Sequence, residues 1–240
     1  MGMIWYFLLI LIVYLIGQTL IKGFYQLNYM SYDVIIVGGG PAGSSAAHFN
    51  ALEGYKVLLI DMNTFPRDKI CGDGITGKSL GILDEMGLSD EINGIKEISS
   101  RGVVVVAPNK KELRIDIASP NDPLSAFSIE RKIFDNVVFA TAKNTVIKNG
   151  GEVKHEKVLK PIIENGVMVG VKTKENEYRA EKIIGAGGYN CPISRYVCHH
   201  NEVPKQQRKH YSSAIREYWT GLEGNNGDFE IHFINRILPG

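Results

Sequence analysis

The pattern of apolar and polar positions predicts alternating strands and helices from about residue 31 onward. The continuous run Val34–Val37, which is entirely β-branched, is typical of a strand covered on both faces. A glycine-rich turn and a helical stretch follow, and Lys56–Ile60 then predicts a second buried strand that ends at Asp61. This order predicts a parallel βαβ unit at the start of an α/β fold.

The pattern is more irregular farther along the chain. A helix is predicted at Ser79–Met86 and a connector at Leu88–Ile98, and Ser128 is expected to cap a helix that runs to about Asn149. Gly102–Ala107 and Leu113–Ile117 predict an antiparallel pair of strands. The remaining predicted strands are Glu152–Leu159, Gly166–Thr173, Tyr178–Ile184, Tyr211–Gly221 and Phe229–Ile234, with a hairpin turn at Glu164–Gly166.

The N-terminus differs from the rest of the chain because residues 1–21 carry no charged side chain. The segment is just long enough to span a bilayer, which predicts a hydrophobic N-terminal helix and a membrane-associated protein. Lys22 follows it, which favours the body of the protein on the cytoplasmic side. In a second interpretation the true start is Met30, residues 1–29 are translated upstream sequence, and the protein is cytoplasmic. N-terminal sequencing of the native protein distinguishes the two.

Composition narrows the choice of partners and compartment. A hydrophobic content of 44% and a charged content of 22% are typical of a globular protein. A formal net charge of +1 gives no support for nucleic-acid binding. The three cysteines, Cys71, Cys191 and Cys198, fit a reducing compartment better than a disulfide scaffold. Cys191 and Cys198 with the following histidines match no compact zinc spacing, so no metal site is predicted.

The turn after the first strand carries the motif G-x-G-x-x-G, formed by Gly38, Gly40 and Gly43. These glycines permit a tight turn, close approach of a pyrophosphate and close packing of helix against strand. Pro41 and Ala42 begin the helix, whose free N–H groups attract phosphate. Asp61 lies where a ribose-binding acid is expected. The motif predicts a dinucleotide site, and the alternative is an ordinary βαβ unit with a glycine-rich turn.

Pro66–Gly74 carries a second motif, P-R-x-K-x-C-G-x-G. Together with the glycine motif and the acid after the second strand, it resembles the geranylgeranyl reductase family. The resemblance implies FAD and the p-hydroxybenzoate-hydroxylase type of fold. This fold is a FAD-binding Rossmann-like domain of the glutathione-reductase type 2, with an inserted antiparallel-sheet substrate domain. The resemblance covers Ser31–Gly240 and lacks the family's C-terminal part, so a C-terminally truncated fragment is expected.

The second motif supplies most of the remaining candidate site residues. Gly72 and Gly74 allow the backbone to approach a flat ring closely. Arg67 can meet phosphate or an anionic reduced flavin. The resemblance places Cys71 beside the flavin, as a cofactor contact and candidate catalytic thiol, whereas the alternative is a small buried hydrophobic residue.

Two further cofactor contacts are implied by the resemblance. The family pattern R-x-x-F-D places Arg131 near FAD, and the alternative is a surface arginine paired with Asp135 one turn on. Backbone groups of the strand near Val158 are expected to contact the adenine end of FAD. In one place the chain departs from the family, because Gly187 stands where an aspartate usually braces the flavin region. Without this aspartate, FAD is expected to bind less tightly than in the family.

The resemblance also implies an order of domains. Residues 1–29 form the hydrophobic segment and possible membrane anchor, 30–98 and 128–200 the two parts of the FAD-binding domain, and 99–127 and 201–240 the strands of the substrate domain, truncated at its end.

The activity implied by the resemblance is reduction of isoprenoid (geranylgeranyl) double bonds by hydride transfer from reduced flavin. Its partners would be a prenyl lipid or prenyl diphosphate and an external electron donor, NAD(P)H or a ferredoxin-like protein. The alternatives are a flavin-dependent monooxygenase or halogenase of the same fold, and an inactive fragment or a protein that only binds.

Overall fold

The structure is a computed structural model, and it describes residues 31–76, 78–95, 98–100, 102–117, 126–204, 214–224 and 226–235. The hydrophobic segment 1–29 lies outside these residues. Within the described ranges, none of the helices has the length and apolar character needed to cross a bilayer. The chain divides into a first unit, residues 1–63 with 142–203, and a second unit, residues 64–141 with 204–240.

The first unit is built on a six-stranded mixed sheet. With elements numbered along the whole chain, its strands are β1 (Tyr32–Val37), β2 (Val57–Asp61), β8 (Glu152–His155), β9 (Lys160–Glu164), β10 (Val167–Lys172) and β11 (Glu177–Gly185). The strand order is β8-β2-β1-β11-β10-β9. β1 pairs in parallel with β2 and β11, and β2 with β8, whereas β10 is antiparallel to β9 and β11. The unit also contains helices α1 (Pro41–Leu52) and α5 (Pro192–His200) and the last turns of a long helix from residue 142 onward.

The core of the first unit lies in the two adjacent inner strands β1 and β2. Ile35 and Ile36 of β1, and Leu58 and Leu59 of β2, have no measurable exposure, so both faces of these strands are covered. Burying one such side chain contributes about 1.5–3 kcal/mol, so this part of the sheet is strongly favoured. The predicted parallel βαβ unit is confirmed.

The second unit contains two small sheets and most of a long helix. Its strands are β3 (Gly74–Thr76), β4 (Ile98–Ser100), β5 (Gly102–Val106), β6 (Glu112–Asp116), β7 (Ala126–Ser128) and β12 (Phe229–His232). Its helices are α2 (Lys78–Glu85), α3 (Ser89–Ile95) and the part of α4 (Arg131–Lys148) up to Thr141. One sheet has the order β3-β7-β4 and the other β12-β5-β6. The predicted antiparallel pair is confirmed as β5 and β6.

The start of α4 differs from the prediction. Ser128 belongs to strand β7 and pairs with Gly74, so it does not cap the helix. The helix begins at Arg131, whose backbone N–H donates to Oδ1 of Asp73 at 3.2 Å. Pairing of β7 with β3 brings Asp73 to the helix start, which a local sequence pattern does not reveal.

Other element boundaries also needed correction. The predicted connector Leu88–Ile98 contains helix α3, whose acidic first turn complements the helix dipole. The predicted strand Glu152–Leu159 stops at His155, because β8 pairs with β2 whereas β9 pairs with β10. Residues 214–221 of the strand predicted at Tyr211–Gly221 carry no strand in the structure. The hairpin turn is confirmed, with positive φ at both Asn165 and Gly166.

Candidate functional site

The glycine turn of the first unit lies where β1 ends. Gly38 has a φ of +110°, and a Cβ built on it would lie 2.5 Å from the carbonyl oxygen of Ala186. A Cβ on Gly43 would overlap the carbonyl oxygen of Gly38. Both positions therefore require glycine, one because of its backbone conformation and both because the space is filled by backbone.

The N-terminus of α1 is available to an anion. Gly40 is its N-cap and Pro41 its first residue, and no side chain in the described part of the protein makes the cap hydrogen bond. The first turn of the helix carries no acidic residue, so no side chain of α1 itself neutralises the positive end of the helix dipole. Backbone N–H groups at such an end suit a phosphate. The turn with Ala42 and Gly43 therefore fits the pyrophosphate of a dinucleotide.

Asp61, at the carboxyl end of β2, supports the same turn. Its Oδ2 accepts the backbone N–H of Gly39 at 2.6 Å, and its Oδ1 accepts that of Asn63 at 2.8 Å. The residue is 9% exposed. Each carboxylate oxygen can accept a second hydrogen bond, so Asp61 can brace the turn and also receive a ribose hydroxyl. The structure thus brings Asp61 together with the predicted glycine motif.

The loop after β11 explains the departure from the family pattern at Gly187. A Cβ at this position would lie 3.3 Å from Sγ of Cys191, which is 1% exposed. An aspartate there would therefore require the buried cysteine to shift. Burial opposes ionisation of the Cys191 thiol, but hydrogen bonds from Ser194 and from the Gly187 and Ile193 backbone outweigh it and lower the pKa.

Val158 lies between β8 and β9 rather than within a strand. It is buried in the same apolar cluster as Cys191 and Ile35. The structure therefore places its side chain in the core of the first unit.

In the second unit, two of the predicted arginines share one carboxylate. Asp135 is fully buried and accepts from Nη1 of Arg67 at 2.6 Å and from Nε and Nη2 of Arg131 at 2.7 and 2.8 Å. Arg67 also lies over the ring of Phe65, which stacks on Phe139. Arg131 pairs with Asp135 one turn on, as considered from the sequence, but it is 9% exposed and not a surface residue. Two cations against one anion leave a net positive charge.

The loop that carries Cys71, residues 67–74, lies beside this cluster, and we call it the cysteine loop. The side chain of Cys71 is exposed. Burial opposes the charge of Arg131, but Asp135 and then the nearby Cys71 outweigh it and raise the pKa of Arg131. A Cβ on Gly72 would meet nothing within 4 Å, and one on Gly74 would lie 3.5 Å from the ring of Phe229. The loop is thus open at Cys71–Gly72 and packed at Gly74.

Sequence reasoning missed two residues that hold this loop. Arg216 donates to both carboxylate oxygens of Asp68 at 2.7 and 2.6 Å and to the carbonyl of Lys69 at 2.8 Å. Tyr218 donates to Oδ2 of Asp73 at 2.9 Å. These contacts join segments far apart in sequence, and nothing in the local pattern around Arg216 signals them.

The sheet β12-β5-β6 has one apolar face, which ends at the same loop. Residues directly opposite each other across paired strands share a face, so the register fixes its members. They are Val103 and Val105 of β5, Leu113 and Ile115 of β6, and Phe229 and Ile231 of β12. Leu113 is 62% exposed, and Ile115 and Ile231 are each 48% exposed. We call these six residues the apolar face.

Comparison with known proteins identifies relatives of the chain. The family described as "FAD binding domain" matches residues 31–207. Digeranylgeranylglycerophospholipid reductase 3 of Methanosphaera stadtmanae is 28% identical over 220 residues, covering 89% of this chain and 53% of the reductase. The 1H-pyrrole-2-carbonyl-[peptidyl-carrier protein] brominase of Pseudoalteromonas luteoviolacea is 31% identical over 173 residues, covering 70% of this chain and 40% of the brominase.

A solved structure of a reductase-like protein is also similar to this chain. The geranylgeranyl bacteriochlorophyll reductase-like protein of Thermoplasma acidophilum has a TM-score of 0.55 and 30% identity, covering 66% of this chain and 39% of that protein. The chain spans about half the length or less of the curated relatives it matches. The resemblance to geranylgeranyl reductases and the prediction of FAD as the cofactor are confirmed. Reductase and halogenase relatives are equally close.

Proposed function

Because this chain belongs to the FAD-binding domain family of oxidoreductases, we propose that it reduces isoprenoid double bonds of a prenyl lipid. The substrate would be a prenyl lipid or prenyl diphosphate, and the reducing equivalents would come from NAD(P)H or a ferredoxin-like protein. Similarity to a digeranylgeranylglycerophospholipid reductase supports the substrate class. The observation that carries the proposal is the apolar face.

The apolar face suits a hydrocarbon chain because it offers contact area without hydrogen-bonding groups. Its six residues come from three adjacent strands, and Phe229 brings it to Gly74 at the end of the cysteine loop. An isoprenoid chain has no polar group along its length, so burial against such a surface is its main source of binding energy. In this proposal the isoprenoid chain lies on the apolar face, with one end at the cysteine loop.

In this proposal FAD, when bound, supplies the hydride chemistry, and the protein binds and orients the reactants. The glycine turn and the N-terminus of α1 hold the pyrophosphate, and Asp61 holds the ribose. The net positive charge around Asp135 favours an anionic ring near Cys71. The apolar face aligns the alkene and excludes water from it.

Oxygen dependence tests the reaction. The FAD-loaded protein, reduced and kept free of oxygen, is mixed with digeranylgeranylglycerol phospholipid, and the lipid is analysed by mass spectrometry. We expect the lipid to gain two hydrogen atoms for each bond reduced. No gain of hydrogen without oxygen, or a hydroxylated or halogenated product formed only with oxygen, would contradict the proposal.

Two substitutions on one strand test the binding surface. Leu113→Asn puts a polar group on the apolar face, whereas Glu112→Asn changes the opposite face of β6. A buried leucine contributes about 1.5–3 kcal/mol, so Leu113→Asn is expected to weaken lipid binding roughly tenfold or more. Glu112→Asn should leave binding nearly unchanged. Equal effects of the two substitutions on lipid affinity would remove the apolar face from the proposal.

A halogenase or monooxygenase is the second candidate function, and the similarity to the brominase favours it. Its substrate would also lie beside the cysteine loop. The lipid experiment separates the two candidates, because the second requires oxygen and transfers an oxygen or halogen atom to the substrate.

A further inference from the structure

We propose that Arg216 is a positioning residue that fixes the cysteine loop, residues 67–74, in the conformation that meets the cofactor. It acts by holding Asp68 and Asp73, the two carboxylates on either side of Cys71. The inference rests on the proposed function in one respect, because that function places this loop beside the flavin. The contacts themselves lie within the second unit and need no ligand.

We call Arg216, Asp68 and Asp73 the clamp. Its first half is the pairing of Arg216 with Asp68. The guanidinium donates through Nη2 to both oxygens of the carboxylate and through Nη1 to the carbonyl of Lys69. Its side chain is 15% exposed. The hydrogen bond from Arg216 is the largest influence on Asp68 and lowers the pKa of that carboxyl, so the pair is ionised at neutral pH. One arginine thus fixes both a side chain and the backbone of the loop.

The second half is centred on Asp73. Its Oδ2 accepts a hydrogen bond from the hydroxyl of Tyr218. Its Oδ1 accepts one from the backbone N–H of Arg131 and a longer one, of 3.5 Å, from Nη1 of Arg216. Burial and the Asp73 carboxylate raise the pKa of Tyr218 to about 12, so its hydroxyl remains a donor. Asp73 therefore ties the far side of the loop to the start of α4 and to the segment that carries Arg216.

The charges give the clamp an electrostatic consequence. Three arginines, Arg67, Arg131 and Arg216, face three carboxylates, Asp68, Asp73 and Asp135. Removing Arg216 lowers the net charge around Cys71 by one unit. Positive charge stabilises a ring that becomes anionic on reduction, so the charge of Arg216 is expected to ease reduction of a flavin bound there.

Trypsin tests the clamp without cofactor or substrate. Cleavage after Lys69 requires the loop to open, so its rate reports local stability. We expect Arg216→Gln to raise this rate several-fold in the cofactor-free protein, since the substitution removes the guanidinium that binds the Asp68 carboxylate and the Lys69 carbonyl. Arg216→Lys should restore part of the protection. Arg114→Gln is the matched control, because it removes an exposed arginine of the same unit that pairs with Asp116 and Asp228.

A double-mutant cycle shows whether Arg216 acts through Asp68. Arg216→Gln and Asp68→Asn should each loosen the loop, and the double variant should be no looser than Arg216→Gln alone. Additive effects, or a cleavage rate after Lys69 that Arg216→Gln leaves unchanged, would overturn the proposal whether or not the protein reduces a lipid.

The midpoint potential of bound FAD tests the link to the cofactor. Arg216→Gln should shift it to a more negative value, and Arg114→Gln should not. If trypsin cleavage rises but the potential stays the same, the clamp holds a loop that does not meet the flavin. That result would overturn the cofactor-positioning role and the proposed function's placement of the loop.

Discussion

Replacing Asp135 with asparagine is the most direct test of the charge cluster in the second unit. The carboxylate is fully buried and accepts three hydrogen bonds from Arg67 and Arg131, whose side chains are 13% and 11% exposed. Asparagine keeps the shape but loses the charge, and its amide N–H groups face guanidinium donors. Breaking a buried pair costs about 3–5 kcal/mol, and the slight exposure of both arginines favours the lower value, about 3 kcal/mol.

The loss is measurable by urea unfolding followed by circular dichroism. With a slope of about 2 kcal/mol per molar urea, a loss of about 3 kcal/mol lowers the midpoint by roughly 1.5 M. Asp116→Asn is the control, because Asp116 also pairs with an arginine but its side chain is 74% exposed. The control should change the free energy of unfolding by less than about 1 kcal/mol. Similar midpoints for the two variants would refute the reasoning that burial makes the Asp135 pairs strong.

Two further predictions concern the first unit and its cofactor site. Gly43→Ala forces a methyl group into the Gly38 carbonyl, so FAD binding measured by flavin fluorescence should be lost; Gly81→Ala in α2, where a Cβ meets nothing within 4 Å, should leave it unchanged. Burial lowers the pKa of His48 from its ordinary 6.5, and its ring bonds to Thr145. The unfolded chain therefore binds a proton below pH 6.5 that the folded protein does not bind, so stability should fall as pH falls beneath 6.5. His48→Gln should flatten that part of a plot of unfolding free energy against pH, and an unchanged slope would contradict the assignment.

The parts of the site that sequence could predict are the local ones. The glycine motif, the helix after it and Asp61 lie within one βαβ unit, so their spacing alone predicts that they meet. The pairing of Arg131 with Asp135 follows from helix periodicity. Sequence could not show that Asp135 is buried, because its burial depends on Arg67 and on packing from elsewhere in the chain.

The parts that sequence could not predict come from distant segments. Asp73 can cap α4, and Arg216 can bind the cysteine loop, only because the fold brings these distant segments together. A single charged residue has no periodicity in the sequence that would reveal its partner. The apolar face was partly visible, since β5 and β6 were predicted as a pair. Its third strand, β12, joins β5 in parallel from the far end of the chain, and this pairing became visible only in the structure.

The position of β1 between β2 and β11 has a consequence for synthesis of the protein. Tyr32 pairs with Ala180, so the ribosome must make about 150 residues after β1 before that edge of the strand is covered. At about 5–20 residues per second, this takes roughly 8–30 s. During that time one edge of β1 is open, and Ala186 is not yet present to enclose Gly38. The nucleotide turn is therefore complete only after residue 186 emerges, and FAD is expected to bind late.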